Sequence, residues 1–244
     1  MKRRAIILIL GLAALLTSGC SHRTGAAPAL KPTAFGSALV ESSGGKQIAA
    51  VGATLAQPVV VQVNDDQGTA VAGALVEMSG PAGVHFEPAT GLTDSSGQFT
   101  TNISVGGMAG RYQVTAATLN KAQKRVELKL EEIALGYQQV LGQQLNNQYC
   151  DRCHNPESTA ERVSNYDNLE VKPHPFTEGD AINKLNDADL LATISHGGPA
   201  LNKSPLMPPY GYTLSKSEIQ ALIAYIRAVS DPPYHTPGLV YAKN

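Results

Sequence analysis

The chain has 244 residues, with 19 Lys and Arg against 20 Asp and Glu and a formal net charge of −1. That length suffices for one large or two small domains. Charges of both signs are mixed throughout, and without a basic stripe a nucleic-acid partner is excluded on electrostatic grounds.

Lys2, Arg3 and Arg4 open the chain, an apolar run fills residues 5–16, and Thr17-Ser18-Gly19-Cys20 follows. A basic head, a short apolar segment and small residues predict a secretory signal peptide over residues 1–19. The run is shorter than the roughly 20 apolar residues that a membrane span requires. Residues 20–37 are rich in Ala, Pro, Gly and Thr, which predicts a flexible tether. Leu16-Thr17-Ser18-Gly19-Cys20 resembles a bacterial lipobox, although Thr17 stands where that pattern usually has an aliphatic residue. The resemblance implies cleavage before Cys20 and lipid on its sulfur, and several acyl chains there would give a stable membrane anchor. With Ser21 after the cysteine, the resemblance extends to outer-membrane sorting in a two-membrane cell.

Residues 38–131 read as all-β. Val59-Val60-Val61-Gln62-Val63 runs into the polar turn Asn64-Asp65-Asp66-Gln67-Gly68, a strand followed by a reversal. Ala74, Val76 and Met78 share one face, as do Phe99, Thr101, Ile103 and Val105. Tyr112 and Val114 point inward, and Val126, Leu128 and Leu130 alternate with Glu127 and Lys129. Period-two alternation over about ninety residues predicts one antiparallel, immunoglobulin-like sandwich. Asp65, Asp66 and Asp94 are expected as turn residues, because no calcium-loop spacing accompanies them. His85 has no partner histidine nearby in the sequence.

This segment resembles a bacterial immunoglobulin-like domain of the intimin and invasin type. The residues that carry the likeness are 55–65, 70–76, Thr93-Asp94-Ser95-Ser96-Gly97-Gln98 and Ala109-Gly110-Arg111-Tyr112-Gln113-Val114-Thr115-Ala116. The resemblance implies a spacer, since such domains hold an adhesive tip away from a surface. Here there is one copy and no recognisable tip.

The period changes after Glu131. Ala134, Tyr137, Leu141 and Leu145 recur at helical spacing and lead into Cys150. Residues 186–195 form a second short helix, capped by Asn186 or Asp187, with Leu190, Leu191 and Ile194 on its apolar face. Ser215-Lys216-Ser217-Glu218 is a capping box. Ile219, Leu222, Ile223 and Ile226 follow on one face, and Asp231-Pro232-Pro233 ends the helix. Residues 134–230 are therefore expected as a helical domain and residues 231–244 as a tail.

Cys150-Asp151-Arg152-Cys153-His154 is the C-x-x-C-H pattern of c-type haem attachment. Two thiols at this spacing add to the two vinyl groups on one edge of a haem, and the histidine is left beneath the ring as the proximal iron ligand. A redox dithiol does not require that histidine, and a zinc site would need a second ligand pair. With three cysteines in all, Cys20 for lipid and Cys150 and Cys153 for one haem c leave none for a disulfide.

The helical region resembles a small class I cytochrome c. Gly142 precedes Cys150 by eight positions, as in that family's first helix, and Leu222-Ile223-Ala224-Tyr225-Ile226-Arg227 resembles its last. In the family these two helices cross closely at a glycine and an aromatic ring, the places held here by Gly142 and Tyr225. Leu190-Leu191-Ala192-Thr193-Ile194-Ser195-His196-Gly197-Gly198 resembles the middle helix and the loop after it. The resemblance implies that Met207, followed by Pro208, supplies a thioether as the second axial ligand. His174 and His196 are the competing ligands, while Met78 and Met108 belong to the β-domain.

An iron with both axial positions filled leaves no place for substrate. The expectation is therefore a non-enzymatic one-electron carrier, exported and membrane-anchored at the outer membrane, periplasm or cell surface. It serves redox partner proteins, alone or as a subunit of a larger oxidoreductase. Residues 134–230 hold 7 Lys and Arg against 10 Asp and Glu, so a partner with a positive rim is favoured. The alternatives are an adhesive or structural lipoprotein with a haem module, and an open-site haem enzyme or sensor.

Overall fold

The computed structural model describes residues 30–160 and 162–237. The expected signal peptide, Cys20 and the first part of the tether lie outside the described residues, as do residues 238–244 of the tail. No helix among the described residues is long and apolar enough to cross a membrane.

Among the described residues, nine strands form two sheets. The first sheet holds β1 (Ala38–Ser43), β3 (Val59–Asn64), β7 (Gln98–Ser104) and β5 (His85–Glu87), in that spatial order. The second holds β2 (Ile48–Ala50), β9 (Arg125–Leu135), β8 (Gly110–Leu119), β4 (Leu75–Ser79) and β6 (Thr90–Leu92). The inward faces are those that the alternation marks: Val59, Val61 and Val63, Val76 and Met78, Phe99 and Ile103, and Tyr112 and Val114 are buried in one core. Fully burying a side chain of this kind contributes about 1.5–3 kcal/mol, so this core fixes the register of both sheets.

The turns close as polar reversals. Asp65 Oδ1 accepts from the backbone N–H groups of Gln67 and Thr69, and Asp94 Oδ1 from those of Ser96 and Gln98, all at 2.8–3.0 Å. These two carboxylates thus satisfy their own loops.

Three features depart from the sequence reading. The sheet is not purely antiparallel: after a turn at residues 44–47 the chain leaves β1 in one sheet, and β2 pairs in parallel with β9 in the other. The short strands β1, β2, β5 and β6 lack a long alternating pattern and depend on neighbours for their pairing. The described end of the tether is tied down, with the N–H groups of Thr33 and Ala34 donating to the Gly73 carbonyl at 2.9 and 3.3 Å.

A further departure lies at the junction. Ala134, expected at the head of the first helix, belongs to β9, which runs through Leu135. Gly136 alone separates this strand from α1 (Tyr137–Tyr149). The physical reason is burial on both sides. Ala134 enters the sandwich core, whereas Ile133 and Leu135 pack outward against the helices. A run that is apolar on both faces carries no period with which to tell strand from helix.

The remainder is helical: α2 (Asp151–His154), α3 (Gly179–Ile182), α4 (Asp187–His196) and α5 (Lys216–Val229), with 3-10 turns at Tyr166–Asn168 and Gly198–Leu201. The caps are where the sequence places them. Asn186 Oδ1 accepts from the Asp189 N–H at 2.9 Å, and Ser215 and Glu218 form a reciprocal capping box at the head of α5.

Glu132 is an ionisable group inside the sandwich, at 0 % exposure. Its Oε2 accepts from the Gln47 N–H at 2.7 Å, and its Oε1 has no partner among the described residues. Burial pushes the carboxyl up from 4.5 to about 7; the Gln47 N–H pulls it down, and Glu41 and Glu131 add to the rise. The fold therefore favours the protonated acid, and the folded state binds that proton more tightly than the unfolded chain. Its contribution is complete below the unfolded value of 4.5 and is lost as pH rises through about 7. The stability of the β-domain in equilibrium unfolding should fall by on the order of 3 kcal/mol as pH rises across that window, and Glu132→Gln should flatten the profile. A wild-type profile that is already flat would remove Glu132 from this role.

Candidate functional site

Helix α1 delivers Cys150. Leu141, Leu145 and Tyr149 lie on its inner side against Leu190, Ile194, Leu222 and Ile226, and Cys150 joins the same cluster. The position of α1 is set by Gly142. A Cβ there would stand 2.0 Å from the Ala221 carbonyl oxygen and 2.7 Å from Tyr225 Cβ. The two helices thus touch backbone to backbone, at the crossing expected from Gly142 and Tyr225. A mid-helix glycine costs about 1 kcal/mol against alanine, and this close approach is what requires it.

Cys150 ends α1 and begins α2, the single turn that carries Cys153 and His154. The N–H groups of Cys153 and His154 both donate to the Cys150 carbonyl, at 3.0 Å. Arg162 holds the outside of this turn: its Nε meets Asp151 Oδ2 at 2.8 Å, and its Nη2 donates to the Glu157 carbonyl at 2.6 Å. Both thiols are free and partly buried. Burial pushes the Cys150 thiol up to about 12, with Asp151 and Cys153 adding to the rise. Reactive redox dithiols need a lowered thiol pKa, so this environment opposes a thioredoxin-like use.

The His154 ring is held from two sides. Its Nδ1 is 2.9 Å from the His174 carbonyl oxygen, and because a carbonyl only accepts, Nδ1 carries the proton. Nε2 then keeps its lone pair, as a metal-binding imidazole requires. Phe176 covers the ring in a stacked contact, with centroids 4.5 Å apart and planes 25° apart. Burial lowers the His154 pKa, and the His174 carbonyl opposes that effect, so the neutral imidazole is favoured.

Met207 is partly buried and packs against the same apolar cluster as Cys150, Tyr149 and Phe176. Its loop is fastened to the end of α4. Gly198 N–H donates to the Met207 carbonyl at 3.1 Å, Tyr210 N–H to Ile194 and Gly211 N–H to Ser195. Gly197 makes room for this: its φ is +82°, and a Cβ there would stand 2.7 Å from the Met207 carbonyl oxygen. Tyr210 fixes the far side, donating from its hydroxyl to the Tyr149 carbonyl at 2.9 Å.

The competing imidazoles sit elsewhere. His174 is exposed and its Nδ1 lies 2.9 Å from Glu178 Oε2, so it contributes its carbonyl to the site and sends its ring outward. His196 is exposed in a shallow groove with Leu191, Ser195 and Leu214. Cys150 and Met207 pack against one apolar cluster, and the turn after Cys150 carries Cys153 and His154, whose ring stacks on Phe176 of the same cluster. Phe176, the His174 carbonyl, Gly197 and Tyr210 also shape that region. Of these, only Gly197, in the Gly197-Gly198 pair after the middle helix, is marked in the sequence.

A haem suits this donor set. One imidazole with its Nδ1 proton engaged, one thioether and two thiols surround an apolar wall, and no group of three or more His, Cys, Asp or Glu among the described residues forms a metal cluster. Asn146 Oδ1 and Thr193 Oγ1, on α1 and α4, are buried without partners among the described residues. Such orphans cost about 1–3 kcal/mol each unless a bound group meets them.

Comparison with known proteins agrees in the helical part. Residues 138–226 match the family model described as cytochrome C oxidase, cbb3-type, subunit III, and this stretch is a c-type cytochrome domain. The curated proteins contain no match to the chain. Solved structures similar to the β-domain include the D00-D0 domain of intimin, at 15 % identity, covering 39 % of this chain and 45 % of that one, with a TM-score of 0.29. The Yersinia pseudotuberculosis adhesin InvE is 12 % identical over 41 % of this chain and 32 % of its own, with a TM-score of 0.31. Invasin, described as a bacterial integrin-binding protein, is 21 % identical over 39 % and 19 %, with a TM-score of 0.31. The chain spans less than half the length of each of these three structures.

Gly142→Ala should destabilise the helical domain by about 1–3 kcal/mol despite the better helix former, because the atom it meets is backbone and cannot swing aside. A denaturant midpoint equal to or above that of the wild type would contradict the close crossing.

Proposed function

We propose that this chain is a lipid-anchored, one-electron carrier with a single covalently bound haem c in a class I cytochrome fold. The observation that carries this reading is the single turn holding Cys150, Cys153 and His154, with the His154 Nδ1 proton engaged by the His174 carbonyl. When bound, a haem supplies a reversible one-electron change at its iron. Cys150 and Cys153 would hold it through thioether bonds, His154 through Nε2 and Met207 through its sulfur.

The chain's own residues do the tuning. The apolar wall of Leu145, Ile194, Leu222 and Ile226 keeps water from the site, which disfavours the more highly charged oxidised state. A thioether acts in the same direction, since soft sulfur prefers reduced iron and raises the potential. The His174 carbonyl opposes both modestly, because a proton shared with it makes the imidazole a stronger donor. With both axial ligands from the protein, no coordination position is left for substrate, which is why a carrier is proposed and not an enzyme.

The rest of the chain sets where this happens. Residues 1–19 would direct export, and lipid on Cys20 would anchor the protein at a membrane surface, in the periplasm, at the outer membrane or on the cell surface. The acidic balance of the haem domain would steer donor and acceptor proteins that present a positive rim. A second reading, a subunit of a larger oxidoreductase, is favoured by the oxidase-subunit description of the matched family. The two readings differ in assembly, and solution mass of the purified protein separates them.

Met207→Ala tests the ligand set. The variant should lose the far-red sulfur–iron band of the oxidised protein, drop in reduction potential and bind carbon monoxide when reduced. An unchanged spectrum and potential would remove Met207 from the mechanism.

A further inference from the structure

Residues of the β-sandwich form part of the cluster that lies against Phe176, the ring that covers His154. Phe176, stacked on His154, packs against the buried cluster that Ile133 and Leu135 of β9 form with Tyr225 and Val229 of α5, and Ile48 of β2 packs against the same cluster. Ile133 and Leu135 lie on the outer face of their sheet, yet they are 8 % and 0 % exposed. In a free-standing sandwich that face would meet water. Here it is the inner wall of a second core.

Polar contacts hold the same joint. Arg111 of β8 pairs with Glu131 and donates from Nη2 to the carbonyls of Ala228 and Ser230, at 3.3 and 2.5 Å. It thereby satisfies two of the orphan carbonyls at the end of α5. Lys46 reaches Asp231 at 3.8 Å across the surface of the joint. With Gly136 alone between β9 and α1, the connection has no length in which to flex.

We propose that the β-sandwich is a structural part of the haem site: the outer face of β9 backs Phe176, and Phe176 fixes the plane of the His154 imidazole. This rests on the reading of His154 as an iron ligand. One hydrogen bond at Nδ1 leaves the ring free to tilt, and a stacked neighbour with a rigid backing removes that freedom. Partners beyond the ligand itself orient it and control water access in this way. The domain is then no detachable spacer, and Ile133, Leu135 and Phe176 act as positioning residues.

The test uses the full-length, haem-loaded protein. Leu135→Ala and Ile133→Ala are compared with Val61→Ala, which opens the sandwich core on the opposite sheet and touches neither Phe176 nor the joint. Two readouts depend on the imidazole and not on stability: the pattern of haem methyl shifts in the proton NMR spectrum of the oxidised protein, and the exchange rate of the His154 Nδ1 proton. Both joint variants should change the shift pattern and speed exchange by about tenfold or more, while Val61→Ala leaves both as in the wild type. Phe176→Leu should change them too, and adding Leu135→Ala to it should change little further, since coupled residues are not additive. Should Leu135→Ala fail to accumulate, Leu135→Val reads the same change at smaller amplitude. Unmoved shifts in the joint variants, or equal movement in Val61→Ala, would overturn the proposal and leave the haem reading standing. A wild-type protein with no covalent haem would overturn that reading itself.

Discussion

The contact between Gly142 and the Ala221 carbonyl governs the rest of the helical domain. It brings α1 and α5 together at backbone distance, which fixes where α1 ends and hence where Cys150 enters the site. It also sets α5 at the angle from which Tyr225 and Val229 meet β9. One missing methyl group therefore links the turn at residues 150–154 to the sandwich. Any larger residue would push on backbone, which cannot relax as a side chain does.

From that crossing outward, the site is built by short-range fixings around an apolar centre. The turn at residues 150–154 is braced by Arg162, the His154 ring by a carbonyl and a stacked phenyl ring, and the Met207 loop by the Gly197-Gly198 end of α4. Each fixing satisfies a polar group while presenting an apolar or soft atom inward. That division suits electron transfer, in which ligand positions should change little between oxidation states. The β-domain contributes to the same rigidity through β9, and its own apolar core gives it a stability of its own.

Much of this was legible in local sequence. The C-x-x-C-H turn, the caps at Asn186 and Ser215, the inward faces of the long strands and the Gly142–Tyr225 crossing all rest on residues a few positions apart or on a known pattern. The features that escaped are long-range. Phe176 lies 22 residues beyond His154, and nothing in its own segment marks it as the partner of that ring. The His174 carbonyl is backbone, and any residue there supplies one. Arg111 reads as a polar position on a strand until α5 is placed beside it. The end of β9 is not legible as strand because Ile133, Ala134 and Leu135 serve two cores at once, and burial on both faces erases the period that identifies a strand.

The central claim is an iron held on both sides by this protein, His154 below and Met207 above. Electronic absorption and paramagnetic resonance spectra of the purified full-length protein test it most directly, alongside a count of haem that resists acid–acetone extraction. The account predicts one covalent haem per chain, low-spin in both oxidation states, with the far-red sulfur–iron band when oxidised. A five-coordinate, high-spin iron that binds oxygen or carbon monoxide without any mutation would contradict it.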